Sequence, residues 1–179
     1  MNIESLNRAL VDFLRDQLPT YSGTFDWSKK IFMDYPRPDA TFPRISVTQA
    51  AHYTTHAAIG EQGPQGKGEY QYTTYEIDIW VQKGNAFQLD SGSAPKHAGT
   101  SLRDRLGDDV IQILMNGKKY LREHYNIYDL EITSAVTIPY MDAYEIFRRS
   151  ITVRVYYYRT KLDLVIEEEG AALDVVLTH

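Results

Sequence analysis

Four groups of residues have types and spacings that invite a chemical reading. His52-Tyr-Thr-Thr-His56 sets two imidazoles four apart, which on a helix would aim both at one metal ion. The context favours a strand beside a Gly-rich loop, and the glutamate that follows the first His of zinc proteases is missing, as are further ligands nearby. Gly60-Glu-Gln-Gly-Pro-Gln-Gly-Lys-Gly68 has the glycine density of a phosphate-binding loop. It lacks Gly-Lys followed by Ser or Thr, and a strand rather than a helix follows it. Glu76 and Asp78 project from one strand face with Lys83 further on, the raw material of a metal-dependent nuclease. No acidic residue stands two places before a lysine there, and cross-strand partners such as Arg148 and Arg154 are an ordinary fate for such carboxylates. The fourth group is basic: Arg148, Arg149, Arg154, Arg159 and Lys161 against Glu145 give residues 145–161 a net charge of +4. No nucleophile elbow or dinucleotide fingerprint occurs, and without cysteine there is no thiolate zinc site, disulfide or cysteine nucleophile. The residues therefore predict no catalytic centre, no metal and no cofactor.

The elements that position these groups follow from hydrophobic periodicity. Ile3, Leu6, Leu10, Phe13, Leu14 and Leu18 recur at helical spacing, so residues 2–18 read as an amphipathic helix stopped by Pro19. Residues 20–43 are turn-rich. Tyr35-Pro-Arg-Pro-Asp39 excludes a helix, while Phe25, Trp27, Ile31 and Phe32 pin the segment to the core, with a short strand near 30–33. Ile45 and Val47 alternate within the strand Arg44–Gln49. Residues 52–69 form a long Gly-rich loop or hairpin tip, and from Tyr70 a strand puts Tyr75, Ile77, Ile79 and Val81 toward the helices. Thr74, Glu76, Asp78, Trp80 and Gln82 occupy its other face, where Trp80 is available for packing against a partner.

A second polar loop, residues 83–99, precedes a helix capped by Thr100 or Ser101. It carries Leu102, Leu106, Val110, Ile113 and Leu114 to about Met115 and stops at Asn116-Gly117 in the left-handed conformation. Residues 118–124 add a short turn. Tyr128–Pro139 is a strand with Leu130, Ile132, Val136 and Ile138 inward and a bulge near Ser134-Ala135. In Tyr144–Tyr158, Phe147, Ile151, Val153, Val155 and Tyr157 share one face, with Arg149 the exception. Arg148, Ser150, Thr152, Arg154, Tyr156 and Tyr158 share the other.

The fold class expected is α+β: a two-layer sandwich of a mainly antiparallel sheet with two helices on one face, in the order helix, strands, helix, strands, with long loops. Residues 1–160 form a single domain, and residues 161–179 are a hairpin turning at Glu169-Gly170-Ala171 or an arm used on a neighbour. Residues 162–179 hold five acidic residues and no Lys or Arg, a sum of −5, and a basic strand followed by an acidic arm suits head-to-tail contact between identical subunits.

Composition adds limits. The chain has 179 residues and a formal charge of −5, which argues against coating nucleic acid by bulk charge. No apolar run is long enough to span a bilayer, and Met1-Asn2-Ile3-Glu4 does not open a signal peptide. Fourteen tyrosines stand against six Phe and two Trp. Tyrosine suits surfaces buried against a partner, and its placement at strand ends and outer faces points to assembly.

With the helix Ile3–Leu18, the strand Phe42-Pro-Arg-Ile-Ser-Val47, the strand Tyr75-Glu-Ile-Asp-Ile-Trp-Val81, the helix Leu102–Leu114 and the strand Phe147-Arg-Arg-Ser-Ile-Thr-Val-Arg-Val155, the chain resembles the tail terminator (tail completion) proteins of tailed bacteriophages over about residues 1–160. The resemblance implies a structural virion protein, not an enzyme. It would form a hexameric ring that caps the tail tube, ends its polymerisation and joins it to the head connector, assembling in the host cytoplasm. Its partners are copies of itself, the tube protein and the neck proteins, with DNA passing through the lumen unspecifically and no membrane. Arg148, Arg154, Tyr156, Tyr158 and Trp80 are then the expected subunit interface. Gly60, Gly63, Lys67, Lys83 and Phe87 lie in loops expected to contact tube or connector, with Lys67 and Lys83 as basic residues of the lumen. Another neck or head-closure component, a tail-tube subunit, a nuclease using Glu76 and Asp78, and a protein-binding module outside viruses are the alternatives.

Overall fold

A computed structural model describes residues 3–22, 26–34, 41–54, 68–84, 86–87, 97–141 and 145–160. The Pro-rich segment 35–39, the Gly-rich loop with Gly60, Gly63 and Lys67, Phe25 and the acidic segment after Lys161 lie outside the described residues.

Helix α1 (Ile3–Ser22) buries the expected stripe of Leu6, Leu10, Phe13, Leu14 and Leu18. It does not stop at Pro19, which sits within its last stretch. A proline there forfeits one bond to the carbonyl four residues back, and the ladder resumes after it. Asp26 caps a single 3₁₀ turn, Trp27–Lys29, by accepting from the Ser28 N–H at 3.1 Å. That turn drops Trp27 into the core, and strand β1 (Ile31–Met33) follows. Arg15 of α1 donates to the Ile31 carbonyl at 2.7 Å, fixing helix to strand.

Strands β2 (Arg44–Thr54), β3 (Gly68–Gln82), β6 (Ile127–Met141) and β7 (Ile146–Thr160) join β1 in one sheet of order β1-β2-β3-β7-β6. A separate pair, β4 (Ala86–Phe87) and β5 (His97–Ala98), precedes the second helix. The α+β class and the element order agree with the sequence, but the sheet is mixed. β1 runs parallel to β2, while all other main-sheet pairs are antiparallel.

Helix α2 (Gly99–Asn116) is preceded by Ala98 without a side-chain cap, rather than being capped by Thr100 or Ser101. Its first residue, Gly99, takes φ +55° and lies against the Phe147 ring, a position suited to a residue without Cβ. At its far end Gly117 is right-handed, so the expected left-handed stop at Asn116-Gly117 is not made. A Cβ at 117 would collide with the Phe13 ring, so this glycine serves a close approach of α1. The chain continues into a third helix, α3 (Lys118–Tyr125), where a short turn was expected, and the left-handed stop is Asn126 with φ +53°.

All three helices lie on the sheet face that carries Ile45, Val47, Tyr75, Ile77, Ile79, Val81, Ile151, Val153 and Val155, and these close one core. Two tyrosines belong to that core rather than to the rims. Tyr75 donates its hydroxyl to Asn7 Oδ1 and Tyr157 donates to Gln71 Oε1 at 3.0 Å. Burial, seconded by Tyr157, pushes the Tyr75 phenol well above its ordinary pKa.

Arg149, a charge on the helix-facing side of β7, is explained by α2. A Cβ at Gly107 would sit 2.7 Å from its Cδ, and its guanidinium donates to the Asp104 carbonyl at 3.2 Å and to Asp108 at 3.0 Å.

Candidate assembly face

The second face of the sheet is read directly from the strand registers. Across β2, β3, β7 and β6 the rows are Arg44–Trp80–Arg148–Ile138, then Ser46–Asp78–Ser150–Val136, then Thr48–Glu76–Thr152–Ser134. Beyond these, Arg154 lies between Thr74 and Glu131, and Tyr156 between Tyr72 and Asp129. The face thus has an arginine–aromatic cluster at each end and a hydroxyl band between them.

At the first end Arg148 and Asp78 pair at 2.6 Å with the Asp78 side chain only 2 % exposed. The Arg148 guanidinium carbon also lies 4.5 Å from the Trp80 ring centroid. The indole N–H of Trp80 donates to Ser46 Oγ at 3.0 Å. Arg44 stands 5.9 Å from the same ring and 4.3 Å from that of Phe42, and burial lowers its pKa. Trp80 is therefore half-buried between two guanidinium groups.

At the other end Tyr72 and Tyr156 have ring centroids 5.7 Å apart, and the Arg154 guanidinium lies 5.1 Å over Tyr72. Tyr156 donates to Glu131 at 3.2 Å, and Arg154 reaches the same carboxylate at 3.5 Å. The hydrogen bond to Tyr156, then its charge and that of Glu131, raise the Arg154 pKa. Tyr158 continues this row half-buried, opposite Tyr70 in the register.

The structure thus puts Trp80, Arg148, Arg154, Tyr156 and Tyr158 on one face, as their alternation predicts, but in two separate clusters. Glu131, Ser46 and Arg44 belong to those clusters and went unread, because cross-strand register is not written in any one strand. Val136 and Ile138 were expected inward and are not. Thr133 bulges between Ile132 and Ser134, one position earlier than expected, and reverses the phase so that both residues join the second face. Val136 is 51 % exposed there.

The remaining candidates are dispersed. Lys83 meets Glu145 at 3.5 Å at the end of the sheet. Phe87 lies opposite His97 in the short strand pair. His52 contacts Thr73 Oγ1 at 3.0 Å on the helix side, while His56 lies outside the described residues. Asp78 is committed to Arg148, and among the described residues no three His, Cys, Asp or Glu side chains converge as metal ligands. Nor is any described helix long and apolar enough to cross a membrane. Compared with known proteins, the sequence matches no protein-family model and no curated protein.

Proposed function

We propose that this chain is a structural subunit of a tailed-bacteriophage virion, a tail terminator that assembles into a hexameric ring capping the tail tube and joining it to the head connector. The observation that carries this reading is the one-sided layering. Three helices cover one face of the five-stranded sheet, and the other face presents arginine–aromatic clusters with no described element over it. Such a face suits burial against other protein, where aromatic residues and arginine are enriched and most effective. The action is binding rather than turnover. The virion location, the tube and neck partners and the DNA-carrying lumen belong to the same proposal, and they follow from the family resemblance.

Electron microscopy and sedimentation of the purified full chain test it. Closed rings that stop the growth of tail tubes support the reading. Long self-stacked tubes would make the chain a tube subunit, and a monomer at all concentrations would remove the ring. Incubation with DNA and magnesium or manganese, with Glu76→Gln as the control, is expected to give no cleavage attributable to the chain.

A further inference from the structure

The assembly face holds a charge that its own subunit does not answer. Of the four carboxylates in its rows, Asp78 pairs with Arg148, Glu131 with Arg154 and Asp129 with Lys118. Glu76, half-buried between Thr48 and Thr152, has neither an ion pair nor a hydrogen bond among the described residues. Trp80 and Arg148 cover Ser46 and Asp78 on one side of it, and Arg154 turns to Tyr72 and Tyr156 on the other. What remains between them is a strip of short hydroxyl side chains with Glu76 in its middle. From Trp80 to Tyr72 is about 27 Å along β3, wide enough to admit a helix of about 10–12 Å between the two clusters. A carboxylate in such a strip is buried without penalty only against a partner that brings a cation.

A matching cation stands on another side of the subunit. Among the described α-helices only α3 has a net positive charge, with Lys118, Lys119 and Arg122 against Glu123. Lys118 is held by Asp129, and Lys119 meets Glu123 at 3.9 Å. Arg122 is exposed and has no carboxylate in ion-pair reach among the described residues. It donates to the Tyr128 carbonyl at 3.2 Å and lies 5.5 Å from that ring's centroid. The acids of the adjoining groove, Asp129 and Glu131, already have Lys118 and Arg154, so the surplus charge there is positive. Tyr128 and Met115 line the same groove and are 56 % and 52 % exposed. Arginine, tyrosine and methionine in one exposed patch are the side chains that protein contact surfaces favour.

The two charges cannot meet within one copy. α3 lies in the helix layer beside β6, whereas Glu76 is on the opposite sheet face, two strands inward and four residues from the Tyr72 row. That is about 10 Å across the sheet and about 14 Å along it. Two different surfaces on two sides of a subunit are what a head-to-tail contact joins. A face-to-face pair centred on this row would instead set Glu76 against itself, like charge on like.

We propose that Arg122 of one copy, presented by α3 with Tyr128 beside it, docks on Glu76 in the hydroxyl strip of the next copy. The proposal rests on the ring reading and names the subunit contact that closes the ring.

Charge reversal in the full chain tests it by sedimentation and microscopy. Glu76→Arg and Arg122→Glu, each alone, are expected to weaken association about tenfold, with unchanged urea midpoints showing that the subunits still fold. Association is expected to return when both changes are made in one chain. It is also expected to return when the two single variants are mixed, because each then supplies the charge that the other's contact lacks. Single variants that assemble like the unaltered chain overturn the contact and leave the ring reading standing, as do weakened variants that neither combination nor mixing restores. An unaltered chain that stays monomeric at all concentrations overturns ring and contact together. A second readout does not depend on the reversed charges folding, and the absence of native cysteine keeps it clean. Thr152→Cys with Lys119→Cys is expected to give cross-linked dimers and larger species on mild oxidation, well above Thr152→Cys with Lys29→Cys. Cross-linking no stronger than in that control overturns the contact.

Discussion

At the residue scale the most consequential contact is the Arg148–Asp78 pair, because it joins β7 to β3 and also roofs Trp80. Asp78 is buried, so removing its partner strands a charge away from water, a change that typically costs about 3 kcal/mol. Arg148→Ala is expected to lower unfolding stability by about that amount in urea titration. Arg148→Met combined with Asp78→Leu is expected to restore most of it, because no lone charge remains. Arg148 is thus a poor probe of assembly, since its loss disturbs the subunit itself. Arg154 is the cleaner one, paired at 3.5 Å with a half-exposed Glu131. Arg154→Glu is expected to leave the urea midpoint nearly unchanged while weakening ring formation in sedimentation; full retention of rings would remove Arg154 from the interface. Asp129 supplies a pH dependence. Burial alone would raise its pKa, but the Leu130 N–H at 2.7 Å and the Lys118 ammonium at 3.0 Å outweigh it and hold the carboxyl below its ordinary 3.8. A depressed carboxylate pKa contributes stability above the unfolded value and loses it as pH falls through the folded one. Asp129→Asn is therefore expected to remove a small acid-side slope below about pH 4, worth under about 1 kcal/mol at this exposure.

At the scale of elements, single residues decide how helices and strands meet. Gly117 lets the Phe13 ring of α1 touch the α2–α3 junction. Gly117→Ala is expected to lower stability by about 2 kcal/mol through overpacking, and Phe13→Leu in the same chain should recover part of that in thermal or urea unfolding. The bulge at Thr133 acts similarly on β6. Before it Leu130 and Ile132 face the helices; after it Val136 and Ile138 face away. Deleting Thr133 is expected to remove the bulge while leaving Ser134–Ile138 in their present register with β7, so that Val136 stays on the second face and a cysteine at 136 keeps its reactivity with a thiol reagent. A cysteine at 136 that becomes protected would mean that the strand has slipped by one residue instead.

For the whole molecule, the layering leaves one sheet face and the β6 edge without a described element over them. Ring formation under the proposed function should depend on protein concentration, and a contribution from exposed charge pairs should weaken as salt rises. Sedimentation at low and high ionic strength checks this; rings insensitive to salt would place the assembly energy in apolar and backbone contacts such as those of β6.

Much of the fold was legible because it depends on short-range periodicity. The stripe of α1, the two-residue alternation of β3 and β7, and the short strand at Ile31–Met33 follow from where apolar side chains must go. The candidate face was legible for the same reason: Trp80, Arg148, Arg154, Tyr156 and Tyr158 are outward by parity within their own strands. What sequence alone could not set was register, bulge position and the meeting of distant elements. Alternation offers Arg148 and Arg154 as cross-strand partners for Glu76 and Asp78, but only the register gives Asp78 to Arg148 and turns Arg154 to Glu131. Likewise, nothing local to Gly117 announces the Phe13 ring. The sequence by itself determined which faces are apolar and that this is an α+β chain. Only the tertiary structure decided which strands are neighbours, which of the candidate charges pair with each other, and which strands end the described sheet, because those depend on long-range pairing whose energy belongs to two strands at once.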